Sequence, residues 1–184
     1  LTFKFPFSKK YYEQDFFVSS NNFSAYKLID SWPNWSGKWL NIFGESGSGK
    51  THLSKILEKK IKKTKMINAE NIDNKTIEYL SYLDCLIIEN FKNNIDEDLL
   101  YSILNQSKQL DNFLLINSRV PIKDYDLKLI DLKSRLNSFV YIGIDLPNDD
   151  LLRVIITKNL SDKQISISPK LSNYIINNVE RSYK

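Results

Sequence analysis

The sequence has little of what marks secreted, fibrous or membrane-spanning chains. It contains one cysteine, Cys85, one histidine, His52, and only five glycines and five prolines among 184 residues. A single cysteine cannot close an internal disulfide, and neither a secretory leader nor an apolar run of roughly 18 residues is visible. We therefore expect a cytoplasmic protein without a membrane segment, and we exclude disulfide-rich and collagen-like folds.

The chain also has no large excess of positive or negative residues. The 26 Lys and Arg residues against 22 Asp and Glu residues give a net charge of +4, which is too small for a nucleic-acid-binding tail. Hydrophobic residues make up 42% and charged residues 26% of the chain. This balance excludes a disordered chain and suits one compact globular core.

Short apolar runs alternate with helical patterns along the first 145 residues. The runs have strand length and little alternation, as is typical of strands buried on both faces. They occupy 39–43, 65–67, 85–88, 113–116 and 140–144. Strand and helix in alternation predict an α/β fold, in which a five-stranded parallel sheet lies between two helical layers.

The pattern changes after Pro147, because 148–161 and 168–183 both favour helix with no strand between them. Asn148 or Asp149 can cap the first helix, and Ser168 before Pro169 is a start signal for the second. We expect a small helical lid subdomain here, incomplete because its last helix reaches the final residue.

One segment carries the strongest chemical signal, because it matches G-x-x-x-x-G-K-[ST] between a predicted strand and a predicted helix. Its residues are Gly44, Glu45, Ser46, Gly47, Ser48, Gly49, Lys50 and Thr51. Backbone amides of such a loop wrap a polyphosphate, the lysine neutralises its β and γ oxygens, and the Thr51 hydroxyl would ligate Mg²⁺. The alternative, a glycine-rich turn that binds nothing, does not explain the whole motif in this setting.

A phosphate loop needs an acidic strand end beside it, and the strand that begins at Cys85 ends in Glu89 and Asn90. Glu89 is therefore the expected carboxylate on the Mg²⁺ side. The alternative is that Glu89 merely caps a core strand. A neutral amide at position 90 cannot accept a proton from the attacking water. We expect nucleotide binding with weak or no intrinsic ATPase activity, which leaves open whether the chain is an enzyme by itself.

Several motifs resemble one family. Gly49–Leu53 resembles the G-K-T-H-L loop of the bacterial replication initiator DnaA and its short AAA+ relatives. Phe17-Val18 followed by Asn22–Ala25 is similar to the F-V and N-x-x-A segment that lies over the adenine in that family. Ile29–Trp35 resembles the I-D-x-W-P-x-W of the Hda-type regulators. The resemblance implies the three-layer AAA+ fold and a bound ADP or ATP with Mg²⁺.

The resemblance also assigns roles downstream. Arg135, in Leu132–Leu136, matches the arginine finger that acts in the nucleotide site of a neighbouring subunit, and Arg181 matches the phosphate-contacting arginine of the lid. Without the resemblance, both are ordinary surface arginines. Arg119 stands where the initiator has Asp, so the polar sensor role would fall to Asn117.

The first residues alternate apolar side chains at Leu1, Phe3 and Phe5. They resemble the short peptide by which Hda-type proteins dock on the DNA polymerase sliding clamp, without its glutamine. An edge strand is the alternative. Extended peptides anchored by alternating apolar side chains are a known mode of recognition.

Together these resemblances imply an Hda-like regulator that stimulates ATP hydrolysis by DnaA and so inhibits re-initiation of replication. The expected organisation is a clamp-binding peptide at 1–10, an AAA+ nucleotide-binding domain at 11–146 and an incomplete lid at 147–184. DNA would be reached only indirectly, since no helix-turn-helix module follows, and self-association is left open. The alternative is a non-catalytic adaptor that brings DnaA-type or polymerase components to the clamp.

Overall fold

The computed structural model describes residues 13–178, which form five strands and seven α-helices. The strands are β1 (Trp39–Phe43), β2 (Thr64–Asn68), β3 (Cys85–Phe91), β4 (Phe113–Ser118) and β5 (Val140–Gly143). The helices are α1 (Phe23–Asp30), α2 (Lys50–Lys60), α3 (Asn74–Leu80), α4 (Glu97–Gln109), α5 (Ile130–Leu136), α6 (Asp149–Ser161) and α7 (Pro169–Asn178). In this part of the chain no helix combines the length and apolar character needed to cross a bilayer.

The five strands form one parallel sheet in the order β2-β3-β4-β1-β5, which confirms the predicted fold class. All five carboxyl ends therefore lie along the same edge of the sheet. The loops that follow β1, β3 and β4 meet there, because these strands are close neighbours. Ligands of open α/β sheets bind at this edge.

Two helical layers cover the sheet, and each has its own apolar core. On one face, α3, α4 and α5 pack through residues such as Leu104 and Leu136 against Trp39 of β1. On the other face, α1 and α2 pack through residues such as Leu53 against the next residue of β1, Leu40. Successive side chains of a strand point to opposite faces, so β1 serves both cores.

All five predicted apolar runs form strands, but the strands differ in how deeply they are buried. The central strands β3 and β4 are almost wholly buried, as predicted for strands covered on both faces, whereas the edge strands β2 and β5 are only partly buried. β5 ends at Gly143, one residue before the end of the predicted run, and Ile144 follows as a buried residue outside the strand.

Side-chain caps begin both helices that follow the sheet. Asn148 accepts a hydrogen bond from the Leu151 amide at 3.0 Å, and Ser168 accepts one from the Leu171 amide at 3.3 Å. Asn148 is therefore the cap of α6, and Asp149 is its first residue. Helix α7 is described as far as Asn178, so the rest of the helix predicted at 168–183 lies outside the described residues.

The segment before α1 links the sheet to α6. Lys158 of α6 forms a salt bridge with Asp15 and stacks its ammonium over the Phe17 ring, 5.3 Å from the ring centroid. Asn21 donates from its side chain to the Leu146 carbonyl at 2.9 Å, and its own carbonyl accepts from the Asp145 amide at 3.2 Å. The segment at 15–21 is thus tied both to α6 and to the chain that leads into it.

Asn41 is a polar residue at the centre of the sheet, in a run that the sequence analysis treats as apolar. Its fully buried side chain donates to the Ile116 carbonyl at 2.8 Å and to the Ser118 hydroxyl at 2.9 Å. Its oxygen accepts from the Ile122 amide at 3.1 Å. Asn41 therefore fixes the path of the chain as it leaves β4.

We expect Asn41→Leu to lower the free energy of unfolding by about 1–3 kcal/mol, because the buried Ile122 amide would lose its acceptor. Urea unfolding of the purified variant measures this loss. The matched control is Asn93→Ala in an exposed loop, which we expect to change stability by less than about 0.5 kcal/mol. Equal stabilities for the two variants would contradict a structural role for Asn41.

Candidate nucleotide site

The predicted phosphate loop joins β1 to α2, and its glycines have backbone conformations that other residues rarely adopt. Gly44 has φ of 151° and donates its amide to the Ser118 and Arg119 carbonyls at 3.2 and 3.1 Å. A Cβ atom at position 44 would lie 2.3 Å from the Ile144 carbonyl oxygen, so no side chain fits there. Gly49 has φ of 97° at the start of α2, a conformation that L-residues rarely adopt.

Phe16 packs against the loop from the side of the segment before α1. Its ring lies 3.3 Å from the Cβ position of Gly49, stacks on Tyr26 at 5.7 Å and meets His52 edge to face at 5.2 Å. No sequence motif indicated this role for Phe16. His52 lies in the first turn of α2 as a packing residue.

The Lys50 ammonium lies within the loop. It donates to the Gly44 carbonyl at 2.6 Å, the Glu45 carbonyl at 2.8 Å and the Ser48 hydroxyl at 3.2 Å. Phosphate oxygens carry full charge and form stronger hydrogen bonds with an ammonium than carbonyls do. The Lys50 ammonium therefore lies where phosphate oxygens of a nucleotide would replace these carbonyl acceptors.

A buried hydrogen-bond network connects α2 to the ends of β3 and β4. Thr51 donates its hydroxyl to one oxygen of Glu89 at 2.8 Å, and Asn117 donates its amide to the other at 2.6 Å. The same amide nitrogen lies 2.7 Å from the Ser54 hydroxyl. Glu89 is only 7% exposed, so its carboxylate relies on these donors. The structure thus brings together the predicted residues Thr51, Glu89 and Asn117 and adds Ser54.

The donor set fits Mg²⁺, which prefers hard oxygen ligands and keeps several waters. The Thr51 hydroxyl and the Glu89 carboxylate supply two oxygens beside the loop, and phosphate oxygens of a nucleotide would supply others. Residues 13–178 contain no group of three or more His, Cys, Asp or Glu side chains that could hold a metal without such a ligand. Magnesium would therefore enter with the nucleotide.

Asn90 stands at an irregularity of β3. The pairing of β3 with β4 shifts between Ile88 and Phe91, and Asn90 has a positive φ of 56°. Asparagine tolerates this left-handed conformation better than most residues. Asn90 is exposed, whereas Glu89 before it is buried in the network. The sequence predicted the acidic end of this strand, but it did not predict the bulge in the strand.

Arg119 is one of the residues that line a groove beside the first glycine of the loop. The groove has a volume of about 430 Å³ and is lined by the loops that follow β1, β4 and β5, including Glu45 and Asp145. Arg119 itself is exposed. Its position at the end of β4 leaves Asn117 as the buried polar side chain that contacts Glu89.

Arg135 lies far from the phosphate loop of its own chain. Helix α5 packs on the face of the sheet opposite to α2, and it leads into the amino end of β5 rather than the carboxyl edge. The Arg135 side chain is half-buried, and its Nε donates to the Asn105 oxygen at 2.9 Å. It is therefore near the surface, where another molecule can reach it.

Glu97 tethers the chain just before α5. Its carboxylate accepts from the Leu129 amide at 2.7 Å and from the Lys128 amide at 2.9 and 3.0 Å. These backbone donors, first that of Leu129 and then that of Lys128, hold the pKa of the Glu97 carboxyl below its ordinary value. The contact is between α4 and the entry to α5, the helix that carries Arg135.

Four predicted site residues lie outside the described part of the chain. They are Leu1, Phe3, Phe5 and Arg181. Their roles toward the clamp and the nucleotide stay predictions, as do the ligand roles of the residues that the structure brings together.

Comparison with known proteins supports a relationship to DnaA. The chain is 28% identical to the chromosomal replication initiator protein DnaA of Borreliella burgdorferi, over 96% of this chain but 42% of that protein. It therefore spans less than half the length of this relative. The DnaA of Buchnera aphidicola gives 27% identity over 93% of this chain and 43% of that protein. No family model matches the chain.

The fold is also that of a DnaA domain. Domain III of the Thermotoga maritima replication initiation protein DnaA superimposes with a TM-score of 0.77 and 19% identity, over 97% of this chain and 85% of that one. The AMPPCP-bound DnaA from Aquifex aeolicus gives a TM-score of 0.78 and 18% identity, over 95% of this chain and 62% of that one. The chain is thus similar to DnaA in sequence, and its fold is that of DnaA domain III.

We expect Lys50→Ala to weaken the binding of adenine nucleotide about 10- to 100-fold, because the phosphates would lose charged hydrogen bonds. Isothermal titration calorimetry with ADP and ATP in the presence of Mg²⁺ measures the loss. The control is Lys55→Ala, which removes a lysine that pairs with Glu58 on the same helix and leaves the loop intact. An absence of binding heat in the unmodified protein would contradict the assignment of the site.

Proposed function

We propose that this chain is an Hda-like AAA+ regulator of replication initiation. It holds an adenine nucleotide at Gly44–Thr51 and presents Arg135 to the ATP site of a DnaA protomer. The observation that carries the proposal is the separation of these two features on opposite faces of one DnaA-like domain. A nucleotide and a cation that cannot meet within one chain suit an arrangement in which each serves a different active site.

Arg135 would act on the reaction of the partner. Water attacks the γ-phosphorus of the ATP bound to DnaA, the bond to the β-γ bridging oxygen breaks, and ADP and phosphate are released. Negative charge is spread over the transferred group during this step. A guanidinium placed against it accelerates related reactions by about 10³ to 10⁵. The ADP form of the partner would then be inactive in initiation.

The nucleotide of this chain would serve mainly to fix its shape. Phosphates would lie on the amides of the loop and on Lys50, and Mg²⁺ held by Thr51 and Glu89 would neutralise them when bound. The Lys158–Asp15 salt bridge and the Asn21 contacts connect this side of the sheet to α6. A nucleotide held between these elements would favour one position of α6 relative to the sheet.

The amino-terminal residues would bring the protein to its place of action. In this proposal Leu1, Phe3 and Phe5 dock on the sliding clamp, so that stimulation occurs where the clamp is loaded on DNA. Contact with DNA would remain indirect. The similarity of this chain to Hda-type regulators at Ile29–Trp35 supports this part of the proposal.

We expect Arg135→Ala to abolish stimulation of DnaA ATP hydrolysis while nucleotide binding by this chain stays intact. The assay measures ATP turnover by DnaA with this protein, with and without DNA-loaded clamp. Lys133→Ala is the control, because it removes an exposed positive charge two residues away on the same helix. Stimulation that survives Arg135→Ala would rule out the finger role. Clamp binding without any change in turnover would instead support an adaptor.

We also expect slow hydrolysis by the isolated chain, because Asn90 cannot take a proton from water. In a single-turnover assay, Asn90→Asp should raise the rate about 10-fold or more, since general base catalysis contributes about 10² to 10⁴. Asn93→Asp adds the same charge in the following exposed loop and should have no effect. Rapid hydrolysis by the unmodified chain would contradict this view of Asn90.

A further inference from the structure

The contact between Asn105 and Arg135 determines which side of the Arg135 guanidinium stays available to another molecule. A guanidinium is planar, with Nε–H on its stem side and two NH₂ groups at its far end. Asn105 accepts the Nε–H at 2.9 Å, and within residues 13–178 this guanidinium makes no other hydrogen bond. The stem-side donor is therefore engaged, while the far end keeps its donors for another ligand. Bidentate recognition of phosphate oxygens uses such a pair of parallel donors.

Two contacts from one helix hold α5 along its length. Glu97, in the first turn of α4, binds the backbone just before α5, and Asn105 binds Arg135 near the end of α5. Eight residues of α-helix separate Glu97 from Asn105, a rise of about 12 Å. The helices therefore lie side by side and run in the same direction, and α4 is the support against which α5 is fixed.

The packing beneath these contacts makes the support rigid. Leu100, Ile103 and Leu104 of α4 and Leu132 and Leu136 of α5 are fully buried in the same core. Asn105 follows Leu104 directly, so its backbone cannot move without disturbing this core. Its amide can therefore restrict the conformations of a long and otherwise flexible side chain.

We propose that Asn105 is a positioning residue, which orients the Arg135 guanidinium so that its far end faces the phosphates of a neighbouring nucleotide. The inference rests on the proposed function of Arg135. Stimulation of DnaA ATP hydrolysis would then also depend on the Asn105 amide oxygen, which contacts neither the nucleotide of this chain nor that of the partner. Small misplacements of catalytic groups are costly, since about 1 Å can reduce a rate about 100-fold.

The decisive variant is Asn105→Leu, which keeps a similar volume but removes the acceptor. We expect the maximal rate of stimulated DnaA ATP hydrolysis to fall about 10- to 100-fold, with little change in the protein concentration that gives half-maximal stimulation. Asn105→Asp retains an oxygen at the same place and should keep most of the stimulation. Gln109→Ala, which removes an exposed amide near the end of α4, is the control and should behave like the unmodified protein.

A spectroscopic measurement tests the geometry without the partner. In ¹⁵N–¹H spectra, the Nε–H signal of Arg135 should exchange slowly with water in the unmodified protein and in Asn105→Asp. It should exchange rapidly in Asn105→Leu. Urea unfolding of each variant shows whether a loss of stimulation comes from unfolding, and Asn105→Ser serves as the smaller substitution if Asn105→Leu does not fold.

The outcomes separate this inference from the proposed function. If Arg135→Ala abolishes stimulation but folded Asn105→Leu retains the full maximal rate, the positioning role is overturned and the finger role stands. If Arg135→Ala has no effect on stimulation, the proposed function is wrong, and the positioning role of Asn105 falls with it.

Discussion

The buried carboxylate of Glu89 is the interaction on which the candidate site depends. It lies between a helix hydroxyl and a strand amide, so that α2, β3 and β4 are joined at one point. A charge with so little exposure persists only where donors replace its water. The phosphate loop, which begins at the end of β1 and opens α2, is thereby held against β4, which pairs with β1, and against β3 beyond it. The arrangement is possible because all strands of the sheet run in the same direction.

The same sheet separates the two chemical features of the chain. Lys50 begins the helix on one face, and Arg135 lies in the last turn of the helix on the other, near the opposite edge of the sheet. A five-stranded sheet with a core on each side cannot fold back to bring them together. If both side chains act on phosphate, they must act on different nucleotides. Separation within the chain therefore favours action between chains.

The sequence was sufficient for the parts that depend on local pattern. Five apolar runs predicted the strands, and the spacing of glycines with Lys50 and Thr51 predicted the loop, because both signals lie within a few residues. The bulge at Asn90 depends on how β3 pairs with β4, and the burial of Asn41 depends on the path of a segment some 80 residues away. Phe16, Ser54 and Asn105 were missed for the same reason. Their roles come from contacts between distant segments, which no spacing rule records.

The residues at positions 90 and 119 fit this division between local and distant effects. An amide at 90 removes a proton acceptor without disturbing Glu89, because Asn90 is turned outward by its left-handed backbone while Glu89 is held inward. An arginine at 119 lies at an exposed turn and leaves Asn117 in contact with Glu89. Both residues leave the contacts among Thr51, Glu89 and Asn117 intact. Such a chain keeps the buried contacts at the phosphate loop, while α4 supports Arg135 on the other face of the sheet. Binding at one site and stabilisation of charge at another are the two properties that a regulator acting on a neighbouring ATPase requires.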